Sequence, residues 1–255
     1  MRLQIVSDLH LEFPENSSYL NSNPLIVSGD VLLMAGDIVP LISIDSHKAF
    51  FDFVSDNFAH TYWLPGNHEY YYSDINCYPQ AFEESIRDNV TLLNNQTITL
   101  GKLRLHFSTL WSQISEETAF QIQHGMSDFR LIKYEGYTLT PERYNKLHQI
   151  SVDFLKASVR PGSDAFIDIV VTHHVPTFKQ YPAQYSGSIL NEGFATELRD
   201  FIAETNAAYW IHGHHHVNVP EFMVGRTIVL TNQLGYVRYN EHNDFSHSKT
   251  ILFDM

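Results

Sequence analysis

A chain of 255 residues, 44% hydrophobic and 18% charged, carries enough apolar material for a buried core and is excluded from the disordered class. Its net charge of −13 argues against broad, non-specific binding to nucleic acid, although bound divalent cations would reverse the field locally. The one cysteine, Cys77, excludes an internal disulfide framework and suggests no thiolate zinc site.

In chain order, residues 3–6 form a short β-branched run that ends at Ser7-Asp8. That run is too short for a signal peptide, and no stretch approaches the length of a membrane span, so the expected location is cytoplasmic and no membrane partner is expected. Residues 31–35 are a second strand-like run, ending at Gly36-Asp37. Residues 46–58 place Phe50, Phe53 and Val54 on a helical stripe. Residues 61–64 form a third run, ending at Pro65-Gly66-Asn67-His68, and residues 79–88 read as a short helix.

Residues 97–100 and 103–109 flank Gly101-Lys102 as a hairpin. Residues 141–158 are the strongest helix, with Tyr144, Leu147, Ile150, Phe154 and Leu155 at helical spacing behind Thr140-Pro141. A fourth run, 167–171, ends at Thr172-His173-His174. Residues 193–204 carry Phe194, Leu198, Phe201 and Ile202 on one helical face. A fifth run, 208–211, ends at His212-Gly213-His214, and residues 227–231 and 250–253 read as further strands. Strands alternating with helices predict an α/β architecture, and the hairpin adds an antiparallel part. No linker or repeat divides the chain, so one domain over 1–255 is expected, with 112–138 and 176–192 as loops or caps.

The chain holds fifteen histidines, and eight of them fall in four segments next to these runs: His10; His68; His173 and His174; His212, His214, His215 and His216. Groups that follow strands converge on one edge of an α/β sheet. The candidates there are Asp8, His10, Asp37, Asn67, His173, His214 and His216. Imidazole and oxygen donors suit Mn, Fe, Zn, Co or Ni. Seven donors are too many for one tetrahedral ion and fit two adjacent ions that share a carboxylate. Two cations roughly 3.5–4 Å apart suit phosphate ester cleavage, where charge develops on both the attacking and the leaving oxygen. In an extended segment His173 and His174 point apart, and His215 points away from His214 and His216. His212 reads as structural or as a support behind the ligands, Trp63 and Trp210 as core, and Tyr70-Tyr71-Tyr72 as either packing or the wall of a substrate mouth.

The order Asp8-x-His10, Gly36-Asp37, Gly66-Asn67-His68-Glu69, Thr172-His173 and Gly213-His214-x-His216 resembles the calcineurin-like metallophosphoesterase superfamily. The resemblance implies two mixed β-sheets packed face to face with flanking helices, a four-layer sandwich. It implies that Asp8, His10 and His216 hold one metal, that Asn67, His173 and His214 hold the other, and that Asp37 bridges them. It also implies that a metal-bridging hydroxide attacks the ester and that His68 contacts the phosphate or protonates the leaving group. By the same resemblance His173 rather than His174 is the ligand, which leaves His174 either to support the ligands from behind or to contact substrate, and Glu69 either orients His68 or binds backbone. The family's protein phosphatases carry an arginine soon after Gly-Asp, whereas this chain reads Gly36-Asp37-Ile38-Val39-Pro40. A protein substrate is therefore disfavoured. A DNA substrate is disfavoured too, because there is no room for the separate capping domain of the nuclease branch. The expected substrate is a small phosphomonoester, phosphodiester or nucleotide. The alternatives are a non-catalytic scaffold that binds a protein partner and a hydrolase of non-phosphate esters. The sequence specifies no oligomeric state.

Overall fold

The computed structural model describes residues 1–159 and 165–253. Its strands are β1 (Arg2–Val6), β2 (Val31–Ala35), β3 (His60–Leu64), β4 (Phe82–Arg87), β5 (Val90–Asn94), β6 (Gln96–Leu100), β7 (Leu103–Ser108), β8 (Lys133–Tyr134), β9 (Tyr137–Thr138), β10 (Ile167–Thr172), β11 (Tyr209–His212), β12 (Phe222–Val224), β13 (Thr227–Thr231) and β14 (Thr250–Leu252). Its α-helices are α1 (Pro14–Ser22), α2 (Lys48–Asn57), α3 (Glu116–Gly125), α4 (Asp128–Leu131), α5 (Pro141–Ser158) and α6 (Arg199–Thr205). No helix among the described residues is long and apolar enough to cross a membrane.

Two six-stranded sheets form, in the orders β14-β1-β2-β3-β5-β4 and β12-β13-β11-β10-β7-β6. Each has four parallel central strands and one antiparallel strand at either edge. The central strands are apolar on both faces, as parallel strands covered on both sides must be. Leu3, Ile5, Leu33 and Leu64 of the first sheet meet Leu105, Phe107, Ile169 and Ile211 of the second in one core. The opposite face of the first sheet packs Leu32, Met34 and Trp63 on Phe51 and Val54 of α2. The outer face of the second packs Val170 and Trp210 on Val152 and Leu155 of α5 and Ile202 of α6. The fold is thus two mixed sheets face to face with flanking helices.

Residues 79–88 are not a helix. Phe82 and Ile86 fit a helical stripe, but a spacing of four also keeps one face of a strand. Antiparallel pairing with β5, across an irregularity at Ser85–Arg87, settles the choice for β4. The helix expected over 193–204 begins only at Arg199, because Thr196 and Phe194 exchange backbone hydrogen bonds with Val175 and hold that stretch extended. The helix expected from residue 46 becomes α at Lys48 after a 3₁₀ segment, Leu41–His47. Segment 112–138 contains α3, α4 and the β8–β9 hairpin, and it has its own apolar cluster of Trp111, Ile122, Met126, Phe129, Ile132 and Tyr144.

Candidate metal centre

The candidate donors follow the C-terminal ends of β1, β2, β3, β10 and β11, so the two sheets deliver them to one edge of the sandwich. Backbone geometry turns them inward. Asp8, His10, Asp37, His214 and His216 all have positive φ, between 48° and 84°. Such conformations are unfavourable for side chains larger than Asn or Asp, and they concentrate at functional sites. Left-handed residues let a strand stop and throw its next side chain back over the sheet edge. They also let His214 and His216, two residues apart, serve different groups of donors.

Two donor groups share Asp37, and a third, of His10, Glu12 and His68, lies beside them. Asp8, His10, Asp37 and His216 each place a ligand atom within 4.8 Å of the others, and Asp37, His173 and His214 do the same. Asp37 belongs to both. Its Oδ1 is 3.3 Å from Nε2 of His173, and its Oδ2 is 3.8 Å from Nε2 of His10. Asn67 joins the second group, with Oδ1 3.1 Å from Nε2 of His173. Six of the seven candidates are buried, and the His216 side chain is 10% exposed.

The donors fit cations. Nε2 of His10 faces Nε2 of His216 at 2.9 Å, and Nε2 of His173 faces Nδ1 of His214 at 3.0 Å. Pairs of imidazole nitrogens aimed at each other suit a shared positive charge. The local field agrees: against a burial penalty, Asp8 and Glu241 raise His216 to about 10, and Asp37 and Asp8 raise His173 to about 9. A proton held that firmly stands where a cation is favoured.

The far ring nitrogens are anchored as metal-binding histidines require. Nδ1 of His173 donates to the Ala35 carbonyl at 2.9 Å, Nδ1 of His216 meets Glu241 at 2.8 Å, and Nδ1 of His10 meets Glu12 at 3.2 Å. His214 is instead clamped by ring packing on Phe194, with centroids 4.7 Å apart, and its buried Nε2 has no hydrogen-bond partner. Asn67 is aimed by Asp128, which accepts from Nδ2 at 2.9 Å and from the Tyr71 hydroxyl at 2.7 Å.

His68 lies beside these groups. Its backbone N–H donates to Asp37 Oδ1 at 2.9 Å, its Nδ1 meets Glu12 at 2.8 Å, and its Nε2 faces Asp37 Oδ2 at 3.9 Å and the Tyr236 hydroxyl at 3.4 Å. Burial lowers its pKa, but Asp37 and Glu12 outweigh this and raise it. Glu69 does not orient His68. It accepts from the backbone N–H groups of Asp37, Ile38 and Gly66 and from the Trp63 indole, which ties the β2 and β3 loops together. His174 is held between the Thr109 carbonyl and the Tyr144 hydroxyl and packs its ring on that of His214, with centroids 4.1 Å apart. His215 bonds Gln233 and still reaches the pocket wall, while His212 bonds the Gly213 carbonyl. The tyrosine run splits: Tyr70 is core against Trp111, Tyr71 packs on His68 with centroids 4.1 Å apart, and Tyr72 is exposed.

Glu12, Asp128, Tyr236 and Glu241 were not anticipated at the site, whereas Tyr71 of the tyrosine run lines the pocket, one of the two places the sequence allowed it. Glu12 had a readable signal, since it extends the Asp8-x-His10 alternation by one step. Asp128 arrives at the start of α4 and Glu241 at the start of a 3₁₀ turn, Glu241–Asp244, and neither carries a local signature. Asp37, Asn67, His214 and His216 face a pocket of about 350 Å³, lined also by Met126, Tyr181, Tyr185, Phe194 and Tyr236.

The calcineurin-like phosphoesterase profile matches residues 1–218 of this geometry's sequence, which include every candidate donor. The chain belongs to the calcineurin-like phosphoesterase family. An uncharacterized protein of Acanthamoeba polyphaga mimivirus is 32% identical over 285 aligned positions, covering 99% of this chain and 96% of that protein. Among solved structures, the phosphopantetheinyl hydrolase of Mycobacterium tuberculosis superposes with a TM-score of 0.73 at 20% identity, over 99% of this chain and 96% of that one. At that identity the likeness is one of fold.

The glycines of the family motifs make the donors' close approach possible. A Cβ on Gly66 would collide with Asp37 Oδ1 and come within 2.7 Å of the His173 ring, both buried and unable to retreat. Gly36, at φ +90°, would drive a Cβ into the same ring. Gly66→Ala is expected to lower stability by about 1–3 kcal/mol and to empty the site of metal, as overpacking against fixed groups does. Denaturant unfolding with elemental analysis checks this. Unchanged stability with full metal content would show that the ring and the carboxylate can move aside.

Proposed function

We propose that the protein is a dinuclear metal-dependent phosphoesterase that hydrolyses a small phosphomonoester, phosphodiester or nucleotide. The observation that carries this reading is the meeting of two donor groups on Asp37, at the floor of a pocket open to a small molecule. Asp8, His10 and His216 would hold one divalent ion, Asn67, His173 and His214 the other, and Asp37 both. Two such ions, when bound, supply Lewis acidity toward the phosphoryl oxygens and acidify a water nucleophile. The donor set suits Mn, Fe, Zn, Co or Ni.

The chain's own groups do the rest. Asp37 and Asp8 supply the fixed negative charge, and Glu12, Glu241 and the Ala35 carbonyl keep three of the four donor rings in one tautomer and orientation. His68 turns Nε2 to the pocket and holds a proton there for the leaving oxygen, its other nitrogen fixed by Glu12. Tyr236 sets its hydroxyl beside that nitrogen. The Mycobacterium tuberculosis neighbour's name adds a phosphopantetheinyl ester to the substrates worth assaying.

Elemental analysis after Mn²⁺ reconstitution is expected to find about two ions per chain. Hydrolysis of bis-p-nitrophenyl phosphate or p-nitrophenyl phosphate should depend on them. At a free metal concentration 100 times Kd, stabilisation of about 2.7 kcal/mol should appear as a raised melting temperature that chelator removes. A protein that takes up no metal and turns over neither ester would instead be a scaffold that keeps the fold to bind a partner.

A further inference from the structure

Beyond the donor groups the pocket runs between two segments that the sheets do not need: residues 125–128, where α3 meets α4, and the loop 181–194. We propose that this outer part binds the organic arm of the ester and selects an arm that is uncharged and carries an aromatic ring or equivalent apolar surface. The proposal rests on the phosphoesterase reading for where the phosphoryl group sits, and it makes Tyr181 a specificity-determining residue.

Rings build the walls. Tyr181, Tyr185, Phe194 and Tyr236 line the pocket half-buried, each with surface left to cover, and Met126 and Leu190 add flexible apolar surface. The rings are held in place. Phe194 stacks on His214 at 4.7 Å between centroids, and Tyr181 packs against His215 at 5.7 Å and Tyr185 at 6.1 Å. The Tyr185 hydroxyl donates to the His215 carbonyl at 3.3 Å. Preset aromatic faces gain most from a flat or apolar guest, which adds ring contact to the area it removes from water. Aromatic walls with a few fixed polar groups are also the usual make-up of a small-molecule pocket, and about 350 Å³ is enough for more than a phosphoryl group.

Charge narrows the choice. Beside the donors the wall carries the carboxylates of Asp128, bonded to Asn67, and Glu241, bonded to His216, and among the described residues no lysine or arginine lines the pocket. Cations at the floor would satisfy one phosphoryl group. Additional negative charge on the arm would face carboxylates across a dry, aromatic wall, in a chain of net charge −13. Nucleoside polyphosphates are therefore poor guests, and an aryl or similarly apolar ester is a good one.

Phosphonates test this without a leaving group, so binding and chemistry separate. Calorimetric titration of the Mn²⁺-loaded protein with methylphosphonate, phenylphosphonate and 4-carboxyphenylphosphonate is the measurement. Phenylphosphonate is expected to bind about tenfold tighter than methylphosphonate, the scale of one good aromatic contact, and the added carboxylate should erase that gain. Tyr181→Ala should abolish the phenyl preference with metal content held, and Tyr181→Phe should keep it. Equal affinity for the methyl and phenyl compounds in the unmodified protein overturns the proposal. So does a carboxyphenyl compound that binds as tightly as the phenyl one, or binding of none of the three. The unmodified protein decides the matter even if the alanine variant fails to fold. Phenyl preference without hydrolysis of either p-nitrophenyl ester would uphold the arm site and sink the esterase reading, and hydrolysis without preference would do the reverse.

Discussion

Asp37→Asn is expected to strip the centre of metal and to lower turnover on the order of 10³-fold, the scale on which removal of a key electrostatic group in an active site is felt. Asp37 alone belongs to both donor groups, with one oxygen toward His173 and the other toward His10 and His68. Burial disfavours its charge, yet the surrounding histidines His173 and His68 hold its carboxyl well below the usual range, so it is ionised at neutral pH. An amide has the same shape but no charge, and it must present an N–H₂ group to one of the two sides. That group repels a cation and leaves the other six donors without their shared carboxylate. Metal content by elemental analysis and hydrolysis of bis-p-nitrophenyl phosphate are the readouts. Substantial activity with normal metal content would remove Asp37 from the position between the ions.

His68→Ala is expected to separate binding from chemistry. The ring belongs to neither of the donor groups that share Asp37, and its Nδ1 is taken up by Glu12, so metal content should stay near that of the unmodified protein while kcat falls about 10²–10⁴-fold, the usual worth of a positioned acid or base. KM should move much less than kcat. Glu12 supplies the internal check, because one of its oxygens sits 2.8 Å from Nδ1 of His68 and 3.2 Å from Nδ1 of His10. Glu12→Gln keeps an acceptor oxygen but loses the charge shared by the two rings, and a loss of about 10–100-fold is expected, as for other groups that orient metal-site histidines. A His68→Ala protein with full metal and near-normal kcat would end the catalytic role of this ring and leave it as packing for Tyr71.

The sequence determined the parts of this protein that local chemistry controls. Short apolar runs bounded by turn residues read as strands, and β1, β2, β3, β10 and β11 each stand where such a run meets a polar motif. Helix α5 begins and ends where its cap and stripe place it, with the Thr140 hydroxyl accepting from the Arg143 N–H. The candidate donors stood out only as a set, since one carboxylate after a strand serves as readily to cap a turn, whereas five polar motifs after five strands converge on one edge. Only the tertiary structure decided the rest. A spacing of four suits helix and strand alike, so Phe82 and Ile86 took the strand that β5 offered them. Phe194 left its expected helix because Val175 bonds the backbone there and His214 offers its ring a face. Alternation along an extended chain excluded His215, but the positive φ of His214 and His216 breaks that alternation and no pattern of residue types announces it. Glu12, Asp128 and Glu241 reach the centre from separate segments, and pairings made across 56, 61 and 25 residues are a property of the folded chain.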